Sequence, residues 1–151
     1  MGQKKIGIAS DHAGYDMKEF MTGYLDSLGF DVHDFGCHSE ESCNYAEYAH
    51  PLGFSVEGGE LPRGISICGS GNGISMTLNK HQGIRAALCW TPEIAELARR
   101  HNDANICSLP ARFIDNTVAT QIVDRFLETP FEGGRHIARV EMMPLSACGE
   151  K

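Results

Sequence analysis

Hydrophobic and polar positions change period along this chain, and the two periods alternate. Ile6 and Ile8 fall on one side of a short run, Lys5 to Ser10, which reads as a first strand ending in the turn Asp11-His12-Ala13-Gly14. Met17, Phe20, Met21, Tyr24, Leu25 and Leu28 then recur every three or four residues, the stripe of an amphipathic helix, and Gly29 stands where a C′ glycine ends one. Phe30 to Phe35 is a second strand. After a polar turn from Cys37 to Cys43, a helix is expected over about Asn44 to Val56, with Tyr45, Tyr48, Ala49, Leu52 and Val56 on one stripe. Pro51 inside it predicts a kink or a split.

The third strand, Gly64 to Cys68, runs into a glycine-rich turn and a helix reaching about Lys80. Ile84 to Trp90 is apolar on both faces and reads as a fourth, central parallel strand. Thr91-Pro92-Glu93 is a helix start with a cap, a proline at N1 and an acid in the first turn. That helix turns Ile94, Leu97 and Ala98 inward and ends near Arg100. Asn105 to Leu109 is the fifth strand. Asp115 or Asn116 caps a long helix burying Val118, Ala119, Ile122, Val123, Phe126 and Leu127, and a helical tail follows from about Arg135 to Val140. Strict alternation of strands and helices implies a parallel sheet covered on both faces. The expected fold is a single-domain, Rossmann-like α/β three-layer sandwich with five strands over residues 1–151.

Charge and cysteine usage narrow the partners. The chain has 151 residues and a formal net charge of −7, which argues against nucleic acid or an anionic membrane. No apolar run approaches a membrane span and no cleavable leader is legible, so a cytoplasmic chain is expected. The six cysteines form no CxxC pair, and reduced thiols are expected. A small anionic ligand would need a local cationic pocket.

The loop Cys68-Gly69-Ser70-Gly71-Asn72-Gly73-Ile74-Ser75 is the first candidate for chemistry. Glycines at alternate positions let backbone N–H groups converge on an anion, and a thiol at the start of the turn is a candidate base in the positive field of a helix N-terminus. The same residues also suit a buried cysteine followed by a tight turn. Ligands in such sheets bind outside the carboxyl ends of the strands, so Asp11-His12, the Cys68 loop and Arg112 should share one rim. No G-x-G-x-x-G follows the first strand, no P-loop motif exists, and no arginine closes the loop after Cys68.

His101-Asn102-Asp103 lies between the fourth helix and the fifth strand, at the amino end of the sheet. A strand of five residues spans about 17 Å, so a catalytic His101 would serve another subunit's site. Otherwise it caps a helix C-terminus. Arg112, Arg135 and Arg139 are candidate phosphate ligands, because the planar guanidinium fork matches two oxygens at once. Arg135 and Arg139 would share a helix face, and pairing with Glu132 and Glu141 is the alternative.

These stretches, together with Asn79-Lys80, Gly83-Ile84-Arg85-Ala86, Arg99 to Asn105 and Glu132-Gly133-Gly134-Arg135-His136, resemble the type B ribose-5-phosphate isomerases over roughly residues 4 to 141. The wider group includes galactose-6-phosphate isomerase subunits. The resemblance implies interconversion of ribose 5-phosphate and ribulose 5-phosphate in the non-oxidative pentose phosphate pathway. It implies no metal or organic cofactor, and a homodimer or a pair of dimers with shared sites. By it, Cys68 is the base, the backbone of Gly69, Gly71, Asn72 and Gly73 holds the enediolate, and Ser70 helps to move hydroxyl protons. His101 of a partner subunit opens the sugar ring with Asp11 in support. His12, Arg112, Arg135 and Arg139 hold the phosphate, and Tyr45 and Asn102 line the sugar. The chain departs from the group in two places. Asn44-Tyr45-Ala46 replaces a frequent Asp-Tyr-Pro, and Ile74 occupies a position where some relatives carry a glutamate base. A six-carbon sugar phosphate, or binding of a phosphosugar or nucleotide without turnover, are the alternative functions.

Overall fold

The computed structural model describes residues 2–148. Five parallel strands, β1 (Lys4–Ser10), β2 (Phe30–Asp34), β3 (Gly64–Cys68), β4 (Ala86–Leu88) and β5 (Ile106–Pro110), form one sheet in the order β2-β1-β3-β5-β4. The helices are α1 (Tyr15–Ser27), α2 (Tyr45–Glu57), α3 (Asn72–Leu78), α4 (Pro92–Asn102), α5 (Asn116–Glu128) and α6 (His136–Glu141). Two cores flank the sheet. Ile6, Ile8, Ile65, Ile67, Cys107 and Leu109 face α1, α4 and α5, whose Met21, Leu25, Ala98, Ile122 and Phe126 cover them. On the other face Ala9, Cys68 and Ile106 meet Ala49, Leu52, Ile74 and Leu78 of α2 and α3. The three-layer sandwich is therefore present.

Local chemistry sets the element ends. Thr91 accepts the Ile94 N–H at 3.3 Å to start α4, and Asp115 accepts the Val118 N–H at 2.8 Å to start α5. Gly29, at φ +85°, follows the end of α1 as expected of a C′ glycine.

Four expectations are corrected. β4 is an edge strand of three residues, not a central strand from Ile84 to Trp90. A run apolar on both faces reports two covered faces and says nothing about hydrogen-bonded neighbours at its flanks. α2 runs unbroken past Pro51, because the single N–H that proline removes does not outweigh the burial of Ala49, Leu52 and Val56. α3 stops at Leu78, short of Lys80. Phe20, Leu28 and Leu97 are exposed, whereas Lys18 is wholly buried. Its ammonium lies 2.6 Å from Asp34 and 2.7 Å from Glu19. Burial alone would pull the Lys18 pKa down, but those two carboxylates outweigh it and hold it above its ordinary value.

Candidate active site

Register delivers the site residues to one rim. Ser10 aligns with Ile67 and Cys68 with Pro110, so Asp11, Gly69 and Ala111 leave the sheet together. Backbone bonds tie these turns to one another: the Asp11 N–H donates to Ile67 O at 3.2 Å, Ala111 N–H to Cys68 O at 2.9 Å and Arg112 N–H to Gly69 O at 3.0 Å. The crevice lies where the connections from β1 and β3 leave in opposite directions, the usual ligand position in open parallel sheets.

A cleft of about 430 Å³ opens there, lined by Asp11, His12, Ala13, Tyr45, Cys68, Gly69, Ser70, Gly73, Arg112 and Phe113. Cys68 sits buried at its floor, and its sulfur accepts the Gly71 N–H at 3.1 Å. The glycines are there for space. A Cβ on Gly73 would lie 2.8 Å from the Tyr45 hydroxyl, and one on Gly69 would lie 3.3 Å from Arg112 Nη1. Both side chains therefore rest directly on the loop. Gly71 has φ +76°, the left-handed conformation that lets the turn enter α3. Ser70 Oγ accepts the Asn72 N–H at 3.2 Å.

Asp11 is buried and accepts the Gly14 N–H at 3.0 Å, which closes the short helical turn His12–Gly14. His12 is oriented from the other side: its Nδ1 accepts the Cys43 N–H at 3.2 Å. The neutral ring then carries its proton on Nε2, a donor for an anion in the cleft. Cys43 carries no sequence signal that marks it as a site residue. Its thiol is pushed above its ordinary range, first by burial and then by Cys37. Phe113, 75% exposed at the mouth, was also missed; neither had a sequence signal beyond sitting in a loop. Cys37, Cys43, Cys68, Cys89 and Cys107 are free thiols, as expected, and the Cys148 side chain lies outside the described residues.

The remaining candidates do not join this cleft. Gly71 is packed beneath the loop against Leu88 and Leu109, and Asn72 lines an adjoining hollow with Leu88 and Trp90. His101 occupies the last turn of α4, at the amino edge of the sheet, and its ring stacks on His136 with centroids 4.4 Å apart. Asn102 borders a second cavity of about 370 Å³ with Arg85, Ala86 and Met143. Arg135 and Arg139 are exposed on and before α6, which packs on α4. The alternative pairing with Glu132 and Glu141 is absent: among the described residues neither arginine forms an ion pair, and Glu132 binds Arg100 at 3.1 Å instead. The proposed phosphate ligands are thus divided, with His12 and Arg112 at one edge and Arg135 and Arg139 at the other. One chain alone does not assemble them.

Two positions where the sequence departs from its resemblance are explained. Ile74 is fully buried in the α2–α3 core and offers no titratable group at that position. Asn44 precedes α2 without a side-chain cap bond and reaches Glu47 instead, at 3.5 Å.

A family model described as Ribose/Galactose Isomerase matches residues 6–143. Ribose-5-phosphate isomerase B of Escherichia coli is 43% identical over 138 residues, covering 91% of this chain and 93% of that protein. A ribose 5-phosphate isomerase from Thermotoga maritima superposes with a TM-score of 0.92 at 48% identity, covering 95% of this chain and 99% of that one. Ribose-5-phosphate isomerase B from Mycoplasma genitalium, solved with bound ribulose-5-phosphate, superposes with a TM-score of 0.91 at 35% identity, covering 97% of each chain. The fold, the glycine loop with its cysteine and the extent of these matches together establish that the chain belongs to the ribose/galactose isomerase family.

Proposed function

We propose that this isomerase interconverts D-ribose 5-phosphate and D-ribulose 5-phosphate through a cis-enediolate, with Cys68 as the base. The observation that carries the reading is the Cys68 sulfur at the floor of the cleft, with a backbone N–H held on it at 3.1 Å. In the aldose-to-ketose direction the thiolate takes the proton from carbon two, and the electron pair moves to form the enediolate. The same thiol returns the proton to carbon one, so no redox partner is consumed. Negative charge builds on the sugar oxygens, and preorganised N–H donors aimed there are worth about 3 kcal/mol each in a closed site. The Gly71 and Asn72 amides are engaged with Cys68 and Ser70, so the remaining amides of the loop supply those donors. Ser70 relays hydroxyl protons, and Tyr45 lies along the sugar.

The phosphate is held by His12 Nε2 and Arg112 from one chain, and by Arg135 and Arg139 from a second copy. His101 of that copy, with its Asn102, reaches the sugar ring and opens it with Asp11 in support. Exposed Trp90, Phe113 and Met76 beside edge strand β4 support a homodimer or a pair of dimers, since a second copy would remove them from water. In the described residues no helix is long and apolar enough to cross a membrane. A reading as an isomerase in the cytoplasm, serving the non-oxidative pentose phosphate pathway, fits this chemistry and needs no cofactor.

The test is proton NMR in deuterated water with wild type and Cys68→Ala in parallel. Wild type should form ribulose 5-phosphate with solvent deuterium entering the enediol carbons, and the variant should not. Turnover surviving in Cys68→Ala would overturn the choice of base. Turnover of allose or galactose 6-phosphate in place of ribose 5-phosphate would move the assignment to a six-carbon sugar. Binding without turnover would reduce the protein to a phosphosugar-binding module.

A further inference from the structure

His136 is almost wholly buried, and its Nε2 atom has no hydrogen-bond partner. A buried ring nitrogen is costly to leave unsatisfied, and groups able to share a ligand with it stand close by. Glu132 Oε1 stands 3.9 Å from that atom, and the His101 ring lies parallel to the His136 ring at 15° with centroids 4.4 Å apart. One ligand atom from each of His101, Glu132 and His136 falls within 4.8 Å of the others. Ligands around a tetrahedral zinc ion, bound at about 2.0–2.1 Å, sit about 3.3 Å apart. Closure by up to about 1.5 Å, with the His101 ring turned out of its stack on His136 so that both lone pairs meet, would complete the set, and Glu132 is placed to follow. It lies on the segment between α5 and α6, its side chain 45% exposed. Its other carboxylate oxygen is held by Arg100 at 3.1 Å, an outer contact of the kind that orients metal-bound carboxylates.

We propose that His101, Glu132 and His136 form an inhibitory site for a borderline transition-metal ion such as Zn²⁺ or Co²⁺. Two imidazoles and one carboxylate are a donor set for such ions, leaving a fourth position for water. The reaction proposed above needs no metal. Capture of His101 withdraws from the sugar the group assigned to ring opening, so occupancy stops turnover; this consequence, unlike binding itself, rests on that reading. Arg135 and Arg139 stand nearby and oppose a cation, which makes the site one of modest affinity that a chelator clears.

The experiment uses untagged, chelator-treated protein titrated with Co²⁺, followed by visible absorption and by isomerase turnover. The expected result is one Co²⁺ per chain with d–d bands, no thiolate charge-transfer band, and inhibition reversed by chelator. His136→Gln should weaken binding at least about 100-fold. Glu132→Gln alters an exposed side chain without threatening the fold; it should weaken binding by at least about 10-fold, keep turnover and lose the inhibition by metal. A thiolate band would overturn the site by placing the ion on cysteines, and Co²⁺ binding unchanged in Glu132→Gln would overturn it by removing the carboxylate from the ligand set. Co²⁺ binding that depends on Glu132 in a protein without turnover would keep the site and reject the isomerase reading instead.

Discussion

His101 and Cys68 stand at opposite edges of one sheet. His101 ends α4 just before β5 begins, and Cys68 ends β3, which runs the same way as β5. The separation is the length of a five-residue strand, about 17 Å, several times the reach of a proton transfer. An enzyme needing both groups at one sugar must therefore take them from two copies of the chain. Arg112 stands with Cys68, and Arg135 and Arg139 stand with His101, so the proposed phosphate ligands divide in the same way.

Gly71 and Gly23 make a paired test of the loop. Gly71→Ala would place a Cβ against Leu88 at a φ of +76°, so both backbone and packing oppose it. The expected cost is about 1–3 kcal/mol, with most activity lost, because the Gly71 amide is the one held on the Cys68 sulfur. Gly23 lies in α1 with nothing within 4 Å of its would-be Cβ, and Gly23→Ala should stabilise by about 0.5–1 kcal/mol with activity unchanged. Urea denaturation and initial rates check both. Equal effects from the two substitutions would contradict the account of the loop.

Tyr24 gives stability a pH dependence at the alkaline end. Its hydroxyl donates to Asp124 at 2.6 Å, and that bond is the main cause of a phenol pKa pushed up to about 12 from an ordinary 10.0. The folded state holds the proton more tightly than the unfolded state does. The contribution is therefore complete below about pH 10 and is lost as pH rises through about 12. Tyr24→Phe should cost about 1 kcal/mol near neutral pH, and the gap to wild type should close over that alkaline window. A gap that stays constant with pH would refute the bond as its cause.

Lys18 and Asp34 make a buried contact that the hydrophobic stripe of α1 conceals. Asp34→Asn leaves the wholly buried ammonium with Glu19 alone and should destabilise by about 1–3 kcal/mol, at the lower end because Asp34 is itself partly exposed. Lys18→Met removes the charge with its burial cost and should be milder. Chemical denaturation of both variants orders them, and a larger loss for Lys18→Met would contradict this.

Much of this fold was legible because strand and helix periods alternate along the chain, and the turns at Asp11, Cys68 and Arg112 fall at carboxyl ends that topology brings together. What the sequence concealed was lateral order and pairing. The β4 run shows two covered faces but not that Leu88 lies on an edge strand. Lys18 reads as a polar break between Met17 and Met21, since a lysine's burial depends on a carboxylate sixteen residues away. The Cys43 backbone contact to His12 and the stacking of His101 on His136 join residues far apart in sequence, where no local period reports them.

The most direct measurement is complementation between two inactive variants, Cys68→Ala and His101→Ala, each assayed alone and after coexpression on ribose 5-phosphate. Shared sites predict that a mixed dimer regains one intact site, so coexpression should restore about one quarter of wild-type activity while each variant alone stays inactive. Activity no higher than that of the separate variants, in preparations shown to contain mixed dimers, would contradict a site built from Cys68 of one copy and His101 of the other.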